Sequence, residues 1–483
     1  MTLRREDGRW QKWVVFCVTL MAYMLWLYNN GSMILGSGDA KDCWHSITTW
    51  FSPERYGSYT LYKGFASVYP YVWLYQLAVA LHLNEFFFCM LYHAALFAYV
   101  TAIGIPGVSE RLTGFRPRLW QRVFLPVFLF VIWKPTMALS ELMVDLPSCG
   151  VFMMALSCTL ALPDKTGSKR LFYALLSGLL ASLCANISGQ YSVSGACLVL
   201  LALWQILRTP KADVPKEHKL ASLVLVLVGA AAVKLLNTLF MAKAVEPLVA
   251  AGAWIPSGEV WMCRGLLYFL DKNRYLYGTP LTNPRGFAIL QDMLGSAESA
   301  QEMLEYARIG GGQWSIPQFF QMVLHYPVDA VVQAMDKFFL SFSIDMKRQS
   351  VTFLTAGYTL FYIAGWNAVQ RIRRWRDLIS PKTLAVLAAL TSLIPTMVMT
   401  LEMRVTMGAQ SVIFGTALMC GSIPCALESG AYRLSRGRLG REGTHPPVSV
   451  YLVWFVFLLM CMMHMGTLYA QSDIGTEMLF KLW

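Results

Sequence analysis

About eleven stretches of this chain are apolar over roughly the 20 residues that a helix needs to cross a bilayer, and that repetition constrains the fold more than any motif does. They lie near 12–28, 86–105, 123–140, 146–162, 171–188, 191–207, 220–240, 351–370, 383–401, 407–427 and 448–470. The charge count agrees. Only 14% of the 483 residues are charged and 56% are hydrophobic, whereas a soluble domain carries about 25% charged residues. The expected fold class is therefore an all-α integral membrane protein of about 11 transmembrane helices.

The net charge of +12 sits between the apolar runs rather than in one patch. The basic connections are the N-terminal tail, Arg111/Arg116/Arg118/Arg122, Lys165/Lys169/Arg170, Arg208/Lys211/Lys216/Lys219, Arg371/Arg373/Arg374/Arg376 and Arg433/Arg436/Arg438/Arg441. Positive charge is retained on the cytoplasmic side, so all six are placed inside, and this distribution does not suit a nucleic-acid partner. The first run has a basic flank and no small-residue cleavage signal, and reads as a retained helix. The expected topology has the N-terminus inside and the C-terminus outside.

The run from Tyr69 to Ile105 is too long for one span, and Leu83-Asn84-Glu85 interrupts it. If both halves crossed, the arginines at 111–122 would lie outside. The consistent reading lays 70–83 along the outer surface as an interfacial helix and lets only 86–105 cross. Three parts are expected: an N-terminal transmembrane module at 1–240 with a first outer loop at 29–71, an extracytoplasmic subdomain at 241–350, and a C-terminal transmembrane module at 351–483. The middle part mixes helical patches with Gly310-Gly311-Gly312 and several prolines, and reads as a partly helical subdomain. Of the 11 cysteines, Cys43, Cys149 and Cys263 are read as loop residues without CxxC spacing, which supports neither a disulfide framework nor a zinc site.

Charged residues at the expected outer rim are the candidates for chemistry. Gly38-Asp39-Ala40-Lys41-Asp42-Cys43-Trp44-His45 sets two carboxylates and an imidazole directly after the first span. Asp39 or Asp42 can act as a general base on an acceptor hydroxyl, with the other, or His45, orienting it or holding a divalent cation such as Mg or Mn. Alternatively, Asp42 caps a helix beginning near Trp44. Glu141 lies at a depth where an unpaired carboxylate is costly, so it needs a partner or a task; Lys134 is the obvious partner. Glu402-Met403-Arg404 occupies a turn at the outer end of a late span. Arg404 suits a phosphate, or pairs with Glu402 or snorkels. Lys63 and the Arg264…Asp271-Lys272-Asn273-Arg274-Tyr275 cluster add cations and rings, and Arg274 suits pyrophosphate contact. Lys234 reads as a snorkelling residue and His93 as a satisfied core histidine. No phosphate-cradling glycine motif, nucleotide fold or nucleophile elbow is present, so a lipid-delivered donor fits better than a soluble nucleotide.

The order of parts resembles the GT-C superfamily of polytopic glycosyltransferases, which use polyprenyl-phosphate sugars on the outer face of the membrane. The resemblance rests on one span followed by an acidic outer loop (Asp39, Asp42), a Pro after an aromatic (Tyr69-Pro70-Tyr71), a carboxylate in the next outer turn (Ser140-Glu141) and an Glu-x-Arg element (Glu402-Met403-Arg404). It covers about the first 165 residues and 383–427. Val405 stands where an aromatic is common, and Asp39 and Asp42 are three apart where many members have adjacent acids. The resemblance implies a bacterial inner-membrane enzyme, a polyprenyl-phosphate sugar donor bound at Glu402-Met403-Arg404, a glycan, lipid or protein acceptor, and catalysis by Asp39, Asp42 and Glu141; Lys63 and Arg274 join the donor site on their own chemistry as lesser candidates. Two other readings stay open: an O-antigen-type polymerase or ligase working through Arg264, Arg274, Arg285 and His325, and a transporter or flippase of lipid-linked sugars. Mid-span ionisable residues are scarce, which disfavours the last.

Overall fold

The computed structural model describes residues 7–31, 34–51, 58–134, 138–209, 215–250, 316–325, 327–342, 351–369, 379–398, 403–419 and 453–461. Among these residues every regular element is helical. Seven helices are long and apolar enough to cross a membrane: Trp10–Asn29, Phe87–Thr113, Asp145–Asp164, Gly167–Ile187, Gly189–Arg208, Glu217–Glu246 and Pro381–Val398. By length and composition this is an integral membrane protein. The difference from the expected eleven has two sources. The run at 123–140 forms the 15-residue helix Leu119–Trp133, which at 1.5 Å per residue rises about 22 Å, short of a 30 Å hydrocarbon core. The expected spans at 351–370, 407–427 and 448–470 run into residues outside the described set. Glu402, Arg264, Arg274 and Arg285 also lie outside it, as does most of the expected subdomain at 241–350.

The chain forms two compact units. The first comprises Met1–Trp254, Arg374–Ser392 and Met407–Gly415, and the second Ile255–Arg373, Leu393–Thr406 and Thr416–Trp483. In the first unit, α1 (Asp7–Asn29) presents Trp10, Val14, Val18, Met21 and Leu25 as one exposed stripe. The spacing of three and four is that of a single helix face, here suited to lipid. Val15, Tyr23 and Leu27 on the opposite side are buried.

The expected loop at 29–71 is mostly helical: α2 (Gly38–Thr48), α3 (Ser58–Lys63) and the start of α4 (Phe65–Ala80). Cys43 is accordingly a buried helical residue, and Cys149 is buried in a helix as well, rather than either lying in a loop. The chain then breaks at 81–86, as Leu83-Asn84-Glu85 predicts, with His82 at a positive φ of 52°. The next span joins α5 (Phe87–Ala98), a π-helical turn (Tyr99–Gly104) and α6 (Ile105–Thr113). The short helix α7 (Leu119–Trp133) follows.

α8 (Asp145–Ala161) is the centre of the unit, with 78% of its span buried among neighbouring helices. α9 (Gly167–Ile187) and α10 (Ser192–Arg208) pack on it, and α11 (Lys216–Ala250) packs on α9 and α10. α9 and α11 approach closely enough to need glycine. A methyl on Gly229 would stand 2.6 Å from the Leu175 carbonyl oxygen, and one on Gly178 would overlap the backbone of Val226. Small residues at helix crossings do this in membranes, where apolar burial alone does not drive helices together. Only 11% of the α11 span is buried, so this crossing carries much of its attachment. Near its far end α11 supports the segment that follows α2: Asn237 Oδ1 accepts the Phe65 N–H at 3.1 Å, capping α4 after Gly64 (φ 90°), and Phe240 stacks on Trp50 at 5.6 Å.

Two segments distant in sequence complete the unit. Helix Pro381–Leu390 packs on α10 and α8, with Ser194 and Thr391 hydroxyls 3.2 Å apart. Gln410 Oε1 accepts from Trp133 Nε1 at 3.0 Å. In the second unit, helix Pro327–Leu340 packs on Ile394–Val398, and Phe338, Phe342 and Phe361 form a ring cluster with centroids 4.6–6.0 Å apart.

Candidate active site

The segment 138–144, between α7 and α8, is held from four directions. The Tyr23 hydroxyl donates to the Leu139 carbonyl at 2.5 Å. The Leu142 N–H donates to the Ile34 carbonyl at 3.0 Å. The Tyr71 hydroxyl lies 2.6 Å from His93 Nε2 and 3.3 Å from the Met143 carbonyl. The fourth tie is Ser37, whose hydroxyl donates to Glu141 Oε2. A non-helical segment with these ties has little freedom left, which suits a chemical group that must keep its position.

Ser37 does two things with one oxygen. Its φ of −100° and ψ of 166° are those of an N-cap, and its Oγ accepts the Ala40 N–H at 3.2 Å, starting α2 at Gly38. Its proton goes to Glu141. The helix therefore begins at Ser37, and Asp42 is not a cap. Ala40, Cys43 and Ile47, all fully buried, fix the inner face of α2. Trp44 stacks on Phe86 at 4.2 Å and meets Tyr75 edge-on at 5.4 Å. Asp39, in the first turn and half-buried, thus sits two residues from the Glu141 partner, at a helix end whose N–H groups attract negative charge. Asp42 and His45 lie on the exposed side of α2.

Glu141 is only 4% exposed, and Asp145 is buried at the start of α8. The expected Lys134 partner is turned away: it is exposed, with Nζ 5.9 Å from the Trp26 ring centroid. Among the described residues the Ser37 hydroxyl is the polar contact of Glu141. A small cavity opens beside the carboxylate, lined by Leu27, Ile34, Cys89, Met90, Leu139, Ser140, Leu142 and His93. His93 is the satisfied core histidine that the sequence suggests, with Tyr71 as its partner. Burial raises the Tyr71 phenol well above its ordinary range, so its proton stays available for these contacts. Burial likewise raises the Cys43 thiol, which makes it a packing group rather than a nucleophile.

Asp39, Asp42 and His45 follow one another at three-residue steps along α2, so the ends of the trio stand about 9 Å apart along the axis. Among the described residues no three His, Cys, Asp or Glu side chains gather where one ion could be held. Lys63 is exposed at the end of α3. Arg404 is half-buried in the short helix Met403–Thr406 and belongs to the second unit. The structure thus brings Glu141 together with the residue that caps the Asp39 helix. Sequence reasoning missed Ser37, and it met Tyr71 only within Tyr69-Pro70-Tyr71, not as the partner of His93. Ser37 was findable as a serine two residues before an acidic one at the head of a helix; the pairing of Tyr71 with His93 and Met143 had no such signal.

No protein-family model and no curated protein matches the chain. Among solved structures it is similar to the archaeal oligosaccharyltransferase AglB from Archaeoglobus fulgidus, in complex with an inhibitory peptide and a dolichol-phosphate. The identity is 13%, the TM-score 0.44, and the match covers 97% of this chain and 56% of that one. The chain thus spans little more than half the length of that protein, and a likeness of this size carries no argument about activity.

Proposed function

We propose that the chain is a membrane glycosyltransferase of the GT-C kind that moves a sugar from a polyprenyl-phosphate-linked donor to an acceptor hydroxyl on the outer face of the membrane. The observation that carries the reading is the junction through Ser37 of the acidic start of α2 with the buried Glu141. It supports a site in which Asp39, two residues after Ser37, and the more deeply buried Glu141 work together. Asp39, the more accessible of the two, is the base. It takes the proton as the acceptor oxygen bonds to the anomeric carbon, and the bond from that carbon to the lipid phosphate breaks. Glu141, on the 138–144 segment, is a second acidic group for the acceptor or the base. The leaving phosphate calls for a cation; Arg404, with Lys63 and Arg274, is the candidate, and Glu402 its neighbour in sequence. The reading places the protein in a bacterial inner membrane with a glycan, lipid or protein acceptor.

The test is transfer from undecaprenyl-phosphate hexose in vesicles, read as release of undecaprenyl phosphate. Asp39→Asn is expected to lower the rate by about 10²–10⁴, the range for a lost general base, while the protein still inserts and folds. Full activity in both Asp39→Asn and Asp42→Asn would end the assignment.

A further inference from the structure

At the other end of the α8 span, Arg170 is fully buried one turn into α9. Its Nη2 donates to Thr209 Oγ1 at 3.1 Å, while Nε and Nη1 have no partner among the described residues. One turn earlier on α10, Gln205 is 5% exposed, and neither atom of its side-chain amide has a partner among them. Thr209 links the two, because its hydroxyl donates to the Gln205 carbonyl at 2.9 Å. Lys219 Nζ, from the start of α11, donates to the Thr209 carbonyl. Three helix ends therefore meet around Thr209, and they bring two cations and an amide that have no carboxylate partner among the described residues. Of the carboxylates nearby in sequence, Asp164 pairs with Arg111 at 2.8 Å, Glu217 is exposed, and Asp213 lies outside the described residues.

A buried guanidinium satisfied by one neutral hydroxyl is costly, since its desolvation is not offset by an opposite charge. An oxyanion would offset it. Phosphate matches the planar N–H array of arginine. The positive-inside topology places these helix ends in the cytoplasmic leaflet, where acidic phospholipid head groups collect at basic pockets between helices. We infer that the ends of α9, α10 and α11 form a phosphate-binding site, with Arg170 as its floor and Lys219 at its rim. The ligand is the phosphate of an acidic phospholipid head group or free phosphate.

The full-length protein, purified in a nonionic detergent and phosphate-free buffer, separates these. Its melting temperature is followed in three titrations: inorganic phosphate, phosphatidylglycerol and phosphatidylcholine. A rise of several degrees with phosphatidylglycerol alone identifies the lipid source, and one with inorganic phosphate identifies the free anion. Arg170→Met is expected to lose the rise and Lys219→Met to move its midpoint by about tenfold, the effect of one charged contact worth about 1.4 kcal/mol. The site is overturned if neither phosphate nor phosphatidylglycerol moves the wild-type melting temperature, if phosphatidylcholine raises it equally, or if Arg170→Met keeps the rise. Should Arg170→Met fail to fold, an unchanged midpoint in Lys219→Met overturns the site by itself.

Discussion

Glu141 and Arg170 are both almost fully buried, one at each end of the span that α8 begins, and the protein treats them differently. Glu141 receives a hydroxyl proton from Ser37, on a segment tied down from four directions. Arg170 keeps two of its three nitrogens without a partner among the described residues. The carboxylate is held in place by the chain; the guanidinium is left with donors to spare. A group that must keep a position for chemistry needs the first arrangement, and a group that awaits a ligand needs the second.

That contrast can be broken experimentally. The largest effect is expected for Glu141→Gln, which keeps an acceptor for Ser37 but removes the charge: transfer should fall by about 10²-fold with the melting temperature little changed. Retained transfer would make Glu141 a structural group no different in kind from a capping residue. Next is Ser37→Ala, which deletes the α2 cap and strips Glu141 of its hydroxyl donor. Unfolding in mixed detergent with dodecyl sulfate should show a loss of about 1–3 kcal/mol. Tyr71→Phe removes the contacts to His93 and Met143 and should cost about 1 kcal/mol in the same assay. The smallest effect is expected for Arg170→Met in phosphate-free detergent, where the melting temperature should stay level or rise, because an uncompensated charge is lost. A large fall there would show that Arg170 is as structurally engaged as Glu141.

Much of the frame was legible. The break at Leu83-Asn84-Glu85 and the end of α4 follow from polar residues interrupting an apolar run. The expense of burying Glu141 was also readable, yet its partner was not, because Ser37 lies 104 residues away and the nearer Lys134 offered a plausible pair. Hydropathy also could not separate α1 from α8. Both are apolar enough to cross, but 17% of the α1 span is buried and 78% of the α8 span. Lipid and protein interior reward the same side chains, so helix burial must be learned from packing. The cap was misplaced at Asp42 for a local reason: serine and aspartate both serve as N-caps, and the sequence offered both within six residues.

The crossing at Gly178 and Gly229 has a consequence for distant parts. α11 is held along one narrow seam, and Asn237, eight residues beyond Gly229, steadies α4 from about 12 Å further up the same rod. Adding bulk at Gly229 would lever that rod away, and α4 would lose its post while every residue around Glu141 stayed unaltered. A disulfide trapped between cysteines placed at Phe65 and Asn237 is the gauge: it should form readily in the parent protein and poorly once Gly229 carries a leucine.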